Sequence, residues 1–230
     1  MIDDPLSVIT LVPLAVGLLL MILPRVLPES SAEGLIRVSR NISIGVALAI
    51  AAITTLLFLG QWGSIDWTNI TQGGYVLQNE AVDLIPAIGV TWKVGADALS
   101  FPMIWLTAIL IPISMLVEWD AKRGHLFFPL LLIMESALLG VFVALDLFVF
   151  YVFWELTLIP MFLLILLWGG EDRRYAAMKF FIYTFTASVF MLIGILVMYF
   201  HTDAIAGLGS LSGHHFDLVA MTAQENLIPS

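Results

Sequence analysis

Apolar runs of roughly 20 residues recur five or six times along this chain, and each can cross the ~30 Å hydrocarbon core of a bilayer as an α-helix. Water is absent there, so the backbone must satisfy its own polar groups, which a helix does within one segment. Composition agrees: 60% of residues are apolar, 12% are charged and the mean hydropathy is +1.02. The alternating ten-residue segments of an outer-membrane barrel do not occur. The chain therefore reads as all-α, a polytopic transmembrane bundle of about six helices, expected over 5–24, 41–61, 98–118, 126–145, 147–168 and 176–200. The first run follows Asp3 and Asp4 rather than a basic region and continues into ILPRVLPE without a small-residue cleavage site, so it reads as a retained helix.

Nine basic residues set the expected orientation, because short loops rich in Lys and Arg stay on the cytoplasmic side. Arg25, Arg37 and Arg40 lie between the first two helices, Lys122 and Arg123 between the third and fourth, and Arg173, Arg174 and Lys179 around the start of the sixth. Lys93 alone falls in an alternate loop. The N-terminus, the 61–97 loop and the tail are thus expected to face outward. A formal charge of −9 with no large basic patch argues against nucleic acid as a partner. With no cysteine, the chain has no disulfide and no thiolate ligand for a metal or iron–sulfur cluster.

In the outward loop, GVTWKVGAD alternates Val90, Trp92 and Val94 with polar neighbours, which predicts a short strand or hairpin, and Asp97 is placed to cap the third helix. The tail carries a Gly/Ser-rich link, AGLGSLSG, then an apolar stripe through Phe216, Val219, Ala220, Ala223 and Leu227 that predicts a helix at the membrane surface. The tail histidines lack a third ligand at metal-binding spacing and read as solvated.

The fifth run, VFYVFWELTLIPMFLLILLWGG, holds Glu155, nine residues past Asp146 and so about 13 Å along the helix, near the bilayer centre. An acid at that depth costs on the order of 3 kcal/mol, so it is expected to face the bundle interior. Its plainer role is a permanently neutral acid bonded to a neighbouring helix. Its functional role is a switchable proton site, because low dielectric disfavours the ionised form and brings a carboxyl toward uptake and release of a proton. Pro160 leaves the carbonyl of Leu156 without its helical donor, a natural place for water, and Tyr151, one turn before Glu155, can supply a hydroxyl. Glu135 lies eleven residues before Asp146, at nearly the same depth as Glu155 if the two helices run antiparallel. Spacing leaves open whether the two acids meet. Asp146 reads as the cap of the fifth helix, with an outer proton exit as the alternative. Lys179 either snorkels to the inner interface or joins a buried polar chain. Thr184, Thr186 and Ser188 offer small polar groups for bonds across helices or to water.

The segments GVFVALDLFVFYVFWELTLIPMFLLILLWGG and RRYAAMKFFIYT closely resemble the subunit-4, antiporter-like membrane chain (chain M) of proton-translocating NADH:quinone oxidoreductases, respiratory complex I. IGVTWKVGADALSFPMI resembles the outer loop entering the third helix of that family, and the first two helices resemble it weakly. The resemblance implies that Glu155 is the family's fifth-helix glutamate in a central hydrophilic axis, that Lys179 is its KFFIYT lysine and that Asp146 is its DLF aspartate; Glu135 matches no firm role. It implies a proton-translocating subunit that binds no redox cofactor, with FMN, iron–sulfur clusters and quinone in other subunits. The partners would be lipid and other membrane-arm subunits, including neighbouring antiporter-like chains, in a bacterial cytoplasmic membrane. Such chains run to about fourteen helices in two inverted five-helix repeats. Residues 1–125 are then expected to hold three peripheral helices and the outer loop, 126–200 the start of the first repeat, and 201–230 an outward link and interfacial helix, with the natural protein continuing past Ser230. Related alternatives are a subunit of a multi-subunit cation/proton antiporter and the ferredoxin-dependent photosynthetic homologue; a structural membrane scaffold is the alternative of a different class.

Overall fold

The computed structural model describes residues 4–26, 32–64, 77–79, 81–119, 125–201 and 216–218. Its helices are α1 (Pro5–Val26), α2 (Ala32–Gln61), α3 (Ser100–Val117), α4 (Phe127–Val143), α5 (Leu147–Trp168) and α6 (Arg173–His201). All but α4 are long and apolar enough to cross a membrane. At 17 residues, α4 is shorter than its apolar run, because Ala144 and Asp146 leave the helix to pair with Val94 and Asp217. It is also the centre of the bundle, packed against α1, α2, α3 and α5, whereas α6 packs chiefly on α5.

Helices α3 and α5 begin and end within two residues of the expected positions. The largest difference is α2, which starts at Ala32 rather than at 41. Its hydropathy stops at Arg40 but its amphipathicity does not: Leu35 and Ser39 are buried while Arg37 and Val38 are exposed. Backbone hydrogen bonds continue past the apolar run, so hydropathy alone underestimates the helix. Helix α1 likewise continues through Pro24.

The expected hairpin forms, and more strands join it. Strand β1 (Leu77–Gln78) pairs antiparallel with β4 (Gly95–Ala96), and β2 (Val82–Ile85) with β3 (Val90–Trp92). A 3₁₀ turn over Pro86–Ile88 ends at Gly89, whose φ of 68° is a left-handed conformation that glycine alone adopts without a Cβ penalty. Val90, Trp92 and Val94 are buried on the core, so the alternation seen in sequence is the strand's inner face. Asp97 acts as the expected cap: its Oδ1 accepts from the N–H groups of Leu99 and Ser100, and Ser100 Oγ accepts from the Asp97 N–H.

Asp146 ties this hairpin to the helices. One carboxylate oxygen accepts from the N–H groups of Phe148 (2.9 Å) and Val149 (3.1 Å), the first turn of α5. The other accepts from Thr91 N (2.9 Å) and Thr91 Oγ1 (3.3 Å) on β3. Around it Leu145 N donates to Lys93 O, Leu147 N to Phe216 O and Leu218 N to Leu145 O, while Lys93 Nζ pairs with Asp217 at 2.7 Å. Trp92 Nε1 reaches Ser7 Oγ at the start of α1. The starts of α1, α3 and α5, the end of α4 and residues 216–218 therefore share one end of the bundle. Ser39, bonded to His125 O, and Arg40, bonded to Trp119 O and stacked over its ring, mark the other end. Phe216 was expected on the stripe of a surface helix. It is instead buried and bonded to Leu147 through its backbone, because strand-like pairing here satisfies groups that a membrane surface would leave to water. Most of that predicted helix, its Gly/Ser link and His214 and His215 lie outside the described residues.

Burial pushes the pKa of Asp146 above the ordinary aspartate value, against hydrogen bonds from Thr91, Val149 and Phe148 that lower it. Asp146→Ala is expected to weaken this end by about 1–3 kcal/mol and speed amide exchange at Thr91, Phe148 and Val149 roughly tenfold or more, with Asp146→Asn milder. Unchanged protection at Thr91 would show that the hairpin is held by other contacts. A second expectation concerns α4 and α5, where a Cβ on Gly140 would fall inside the Phe153 ring. Gly140→Val should lower thermal stability by about 1–3 kcal/mol in a melting assay of the membrane-embedded chain; an unshifted melt would mean that the two helices separate at no cost.

Candidate functional site

Helix α5 fixes the site. Its start is set by Asp146, its rotation by Phe153 against Gly140, and the two together place Glu155 toward α6 rather than toward α4. Glu155 is half-buried and lines a groove of about 350 Å³ with Val152, Leu156 and Ile159 of α5 and Phe181 and Phe185 of α6. Its Oε1 is buried without a hydrogen-bond partner. Tyr151, one turn earlier on the same helix, stands beside Glu155 and near Ser188 of α6. The hydroxyl expected from the i, i+4 spacing is thus present next to the acid.

Across α5 from this groove, a cavity of about 390 Å³ lies between α4, α5 and α6, lined by Met134, Leu138, Thr157, Met161, Thr184 and Ser188 among others. Its walls are mainly apolar. The hydroxyls on α6 were expected to reach across helices or hold water, but they bond their own helix instead. Thr184 Oγ1 donates to Phe180 O (2.6 Å), Thr186 Oγ1 to Ile182 O (2.7 Å) and Ser188 Oγ to Phe185 O (2.9 Å). A helix carbonyl four residues back is always within reach, whereas a partner on another helix is not. Pro160 is buried within α5 and leaves the Leu156 carbonyl without its usual donor, as its position predicts.

Glu135 does not join this site. It is completely buried in α4, and neither carboxyl oxygen has a partner. Phe128 and Leu132, on its side of the helix, pack with Ile44 and Ala47 of α2 and with Ile111 and Met115 of α3. The two acids therefore occupy different faces of the bundle. Lys179 is exposed on α6, with Nζ 5.7 Å from the ring centroid of Tyr175 and 5.9 Å from that of Tyr183. It lies two residues from Phe181, so it points away from the groove of Glu155. Asp146 sits in the cap described above. Sequence reasoning passed over Ser43 of α2, which is fully buried with an unpartnered hydroxyl, and Ser136, which donates to Thr10 O of α1; both read as ordinary small residues in apolar runs. Among the described residues, no group of three His, Asp or Glu side chains could hold a metal ion.

Comparison with known proteins places this geometry. Residues 144–226, which include Asp146, Glu155 and Lys179, match the family described as NADH:quinone oxidoreductase/Mrp antiporter, transmembrane region. The F(420)H(2) dehydrogenase subunit M of Methanosarcina mazei is 49% identical over 123 residues, 53% of this chain and 25% of that protein. The NAD(P)H-quinone oxidoreductase chain 4 of Prochlorococcus marinus is 41% identical over 160 residues, 69% of this chain and 29% of that protein. Among solved structures, a chain of respiratory complex I from Thermus thermophilus superposes with a TM-score of 0.70 at 30% identity, over 95% of this chain and 39% of that one. A chain of the Mrp complex from Dietzia sp. shares the fold, with a TM-score of 0.58 at 20% identity over 86% of this chain and 20% of that one. The chain spans less than half the length of each of these proteins.

Proposed function

We propose that this chain, whose residues 144–226 carry the transmembrane domain of the NADH:quinone oxidoreductase/Mrp antiporter family, serves as a proton-translocating membrane-arm subunit of an NADH:quinone oxidoreductase. The observation that carries this reading is Glu155: an acid inside a span, beside Tyr151, lining a groove, with a buried oxygen that has no partner and no ion pair among the described residues. Such a carboxyl can accept a proton without breaking a salt bridge. Tyr151 would hold it against α6 while it titrates, and Pro160 would supply a free carbonyl for water one residue beyond it. Lys179 would act at a distance, as a positive charge on α6 outside the groove. Asp146 shapes the site as a cap and carries no proton through it.

In this reading the chain holds no redox group. FMN, iron–sulfur clusters and quinone belong to other subunits, and the driving force arrives as charge movement from neighbouring membrane-arm chains. The basic residues toward the Arg40 end support an orientation with that end at the cytoplasm and the hairpin end outside, and the resemblance supports a bacterial cytoplasmic membrane. A second reading differs in the electron donor. The 49% identity to an F(420)H(2) dehydrogenase subunit favours a donor other than NADH as strongly as the chain 4 relatives favour a nicotinamide. Membranes supplied with NADH, reduced F420 or ferredoxin in turn separate these donors, and copurification with flavin and iron–sulfur subunits separates all of them from a cation/proton antiporter.

Glu155→Gln in the full-length gene, with assembly verified, should cut acidification across native membranes by tenfold or more, with or without loss of quinone reduction. Normal rates of both would reduce Glu155 to a buried hydrogen-bonding group, as in a scaffold. Tyr151→Phe should preserve assembly and shift the pH profile of acidification, because it changes the partner of the titrating acid. A profile that superimposes on that of the unmodified complex would remove Tyr151 from the site.

A further inference from the structure

We infer that Glu135 is a second proton-binding site of this chain, a neutral, water-exchanging carboxylic acid in the α2–α3–α4 interior, separate from Glu155. The stripe of α4 that carries it is otherwise apolar. Below it, Phe128 and Leu132 belong to one hydrophobic cluster with Ala47, Ile111 and Met115; above it, Leu139 and Val143 belong to another with Ile50, Ile104 and Ala108. Glu135, three residues after Leu132 and four before Leu139, stands where the two clusters meet. Ala47 of α2 and Ala108 of α3 are the smallest side chains of these clusters on the facing helices.

A second orphan polar group faces the same interior. Helix α2 meets the start of α4 through Ser39, which bonds His125 O, and packs on Phe128 and Leu132 through Ala47. Ser43 lies one turn from each, fully buried, with an unpartnered hydroxyl. Side chains on a helix lean toward its N-terminus, so the carboxyl of Glu135 leans toward the level of Ser43. Buried polar groups without a protein partner, as Glu135 and Ser43 are, are the kind that bound water satisfies.

The charge state follows from the surroundings. Leaving an ionised carboxylate unpaired in this interior is strongly unfavourable, and among the described residues no cation stands opposite it. Helix α3 carries no ionisable residue, α1 carries only Arg25 near its end, and the ionisable residues of α2, Glu33, Arg37 and Arg40, lie in its first three turns, with Arg40 engaged by Trp119. On α5, Tyr151 and Glu155 turn to α6. The opposite face of α4 is closed by Ser136 on Thr10 and by Gly140 on Phe153, so no polar path joins the two acids through the helix.

The test is infrared difference spectroscopy on native membranes carrying the full-length protein, at neutral pH, in water and then in heavy water. A carboxylic-acid carbonyl band should be present, absent in both Glu135→Gln and Glu135→Leu, unchanged in Glu155→Gln, and moved to lower frequency by deuterium. A spectrum with no band lost in either variant would show an ionised Glu135 and overturn the inference. A band that stays fixed in heavy water would show a sealed group, and one altered by Glu155→Gln a single coupled site; each also overturns it. The measurement needs no turnover, so its result is independent of whether Glu155→Gln abolishes pumping.

Discussion

Asp146 is the contact on which the arrangement of this bundle rests. A helix end leaves N–H groups without partners, and at the edge of a bilayer they must be met by protein or interfacial water. Here one carboxylate meets two N–H groups of α5 and both donors of Thr91, while its backbone neighbours bond Lys93 and Phe216. Three segments distant in sequence, 91–93, 145–149 and 216–218, are thereby fixed at a single turn. The depth of Glu155 is then set by helix rise from that turn, and the loop, otherwise free to wander over the surface, becomes a lid over the ends of α1, α4 and α5.

The central position of α4 decides how the acids relate. Because α4 is enclosed by four helices, every face of it meets a different partner: α1 through Ser136, α5 through Gly140, and α2 and α3 through the stripe of Phe128, Leu132 and Leu139. Two carboxyls at similar depth can then be electrostatically separate although only a helix width of packed side chains divides them. Had both faced α5, mutual repulsion in low dielectric would have coupled their titration. The geometry gives one acid beside a hydroxyl and a groove, and another with no partner among the described residues.

Helix α6 presents the opposite situation. Tyr175, Tyr183 and Phe190 are each 69% exposed, and Lys179 lies between the two tyrosines. Aromatic faces of this kind stabilise an ammonium by about 0.5–1 kcal/mol at exposed sites, more when desolvated. That is less than the cost of placing a lysine in hydrocarbon. The hydroxyls of α6 are turned back on its own carbonyls, so the hydroxyl nearest the acid is that of Tyr151 on its own helix.

The amino-acid sequence by itself determined the solvent, the helical class, the strand alternation through Val90, Trp92 and Val94, and the presence of an acid deep in α5 with a tyrosine one turn away. Each of these depends on hydropathy, helix rise or residue spacing, which are local. It also made the caps at Asp97 and Asp146 legible, since a cap is a relation between neighbours. Tertiary structure alone decided that Asp146 serves Thr91 as well, that Phe216 returns to pair with Leu147, and that Glu135 and Glu155 face apart. Helix rotation about its own axis is set by interlocking of distant side chains, such as Phe153 against Gly140, and no local spacing encodes it. The same holds for Ser43, which is buried without a partner only because of what the neighbouring helices bring to it.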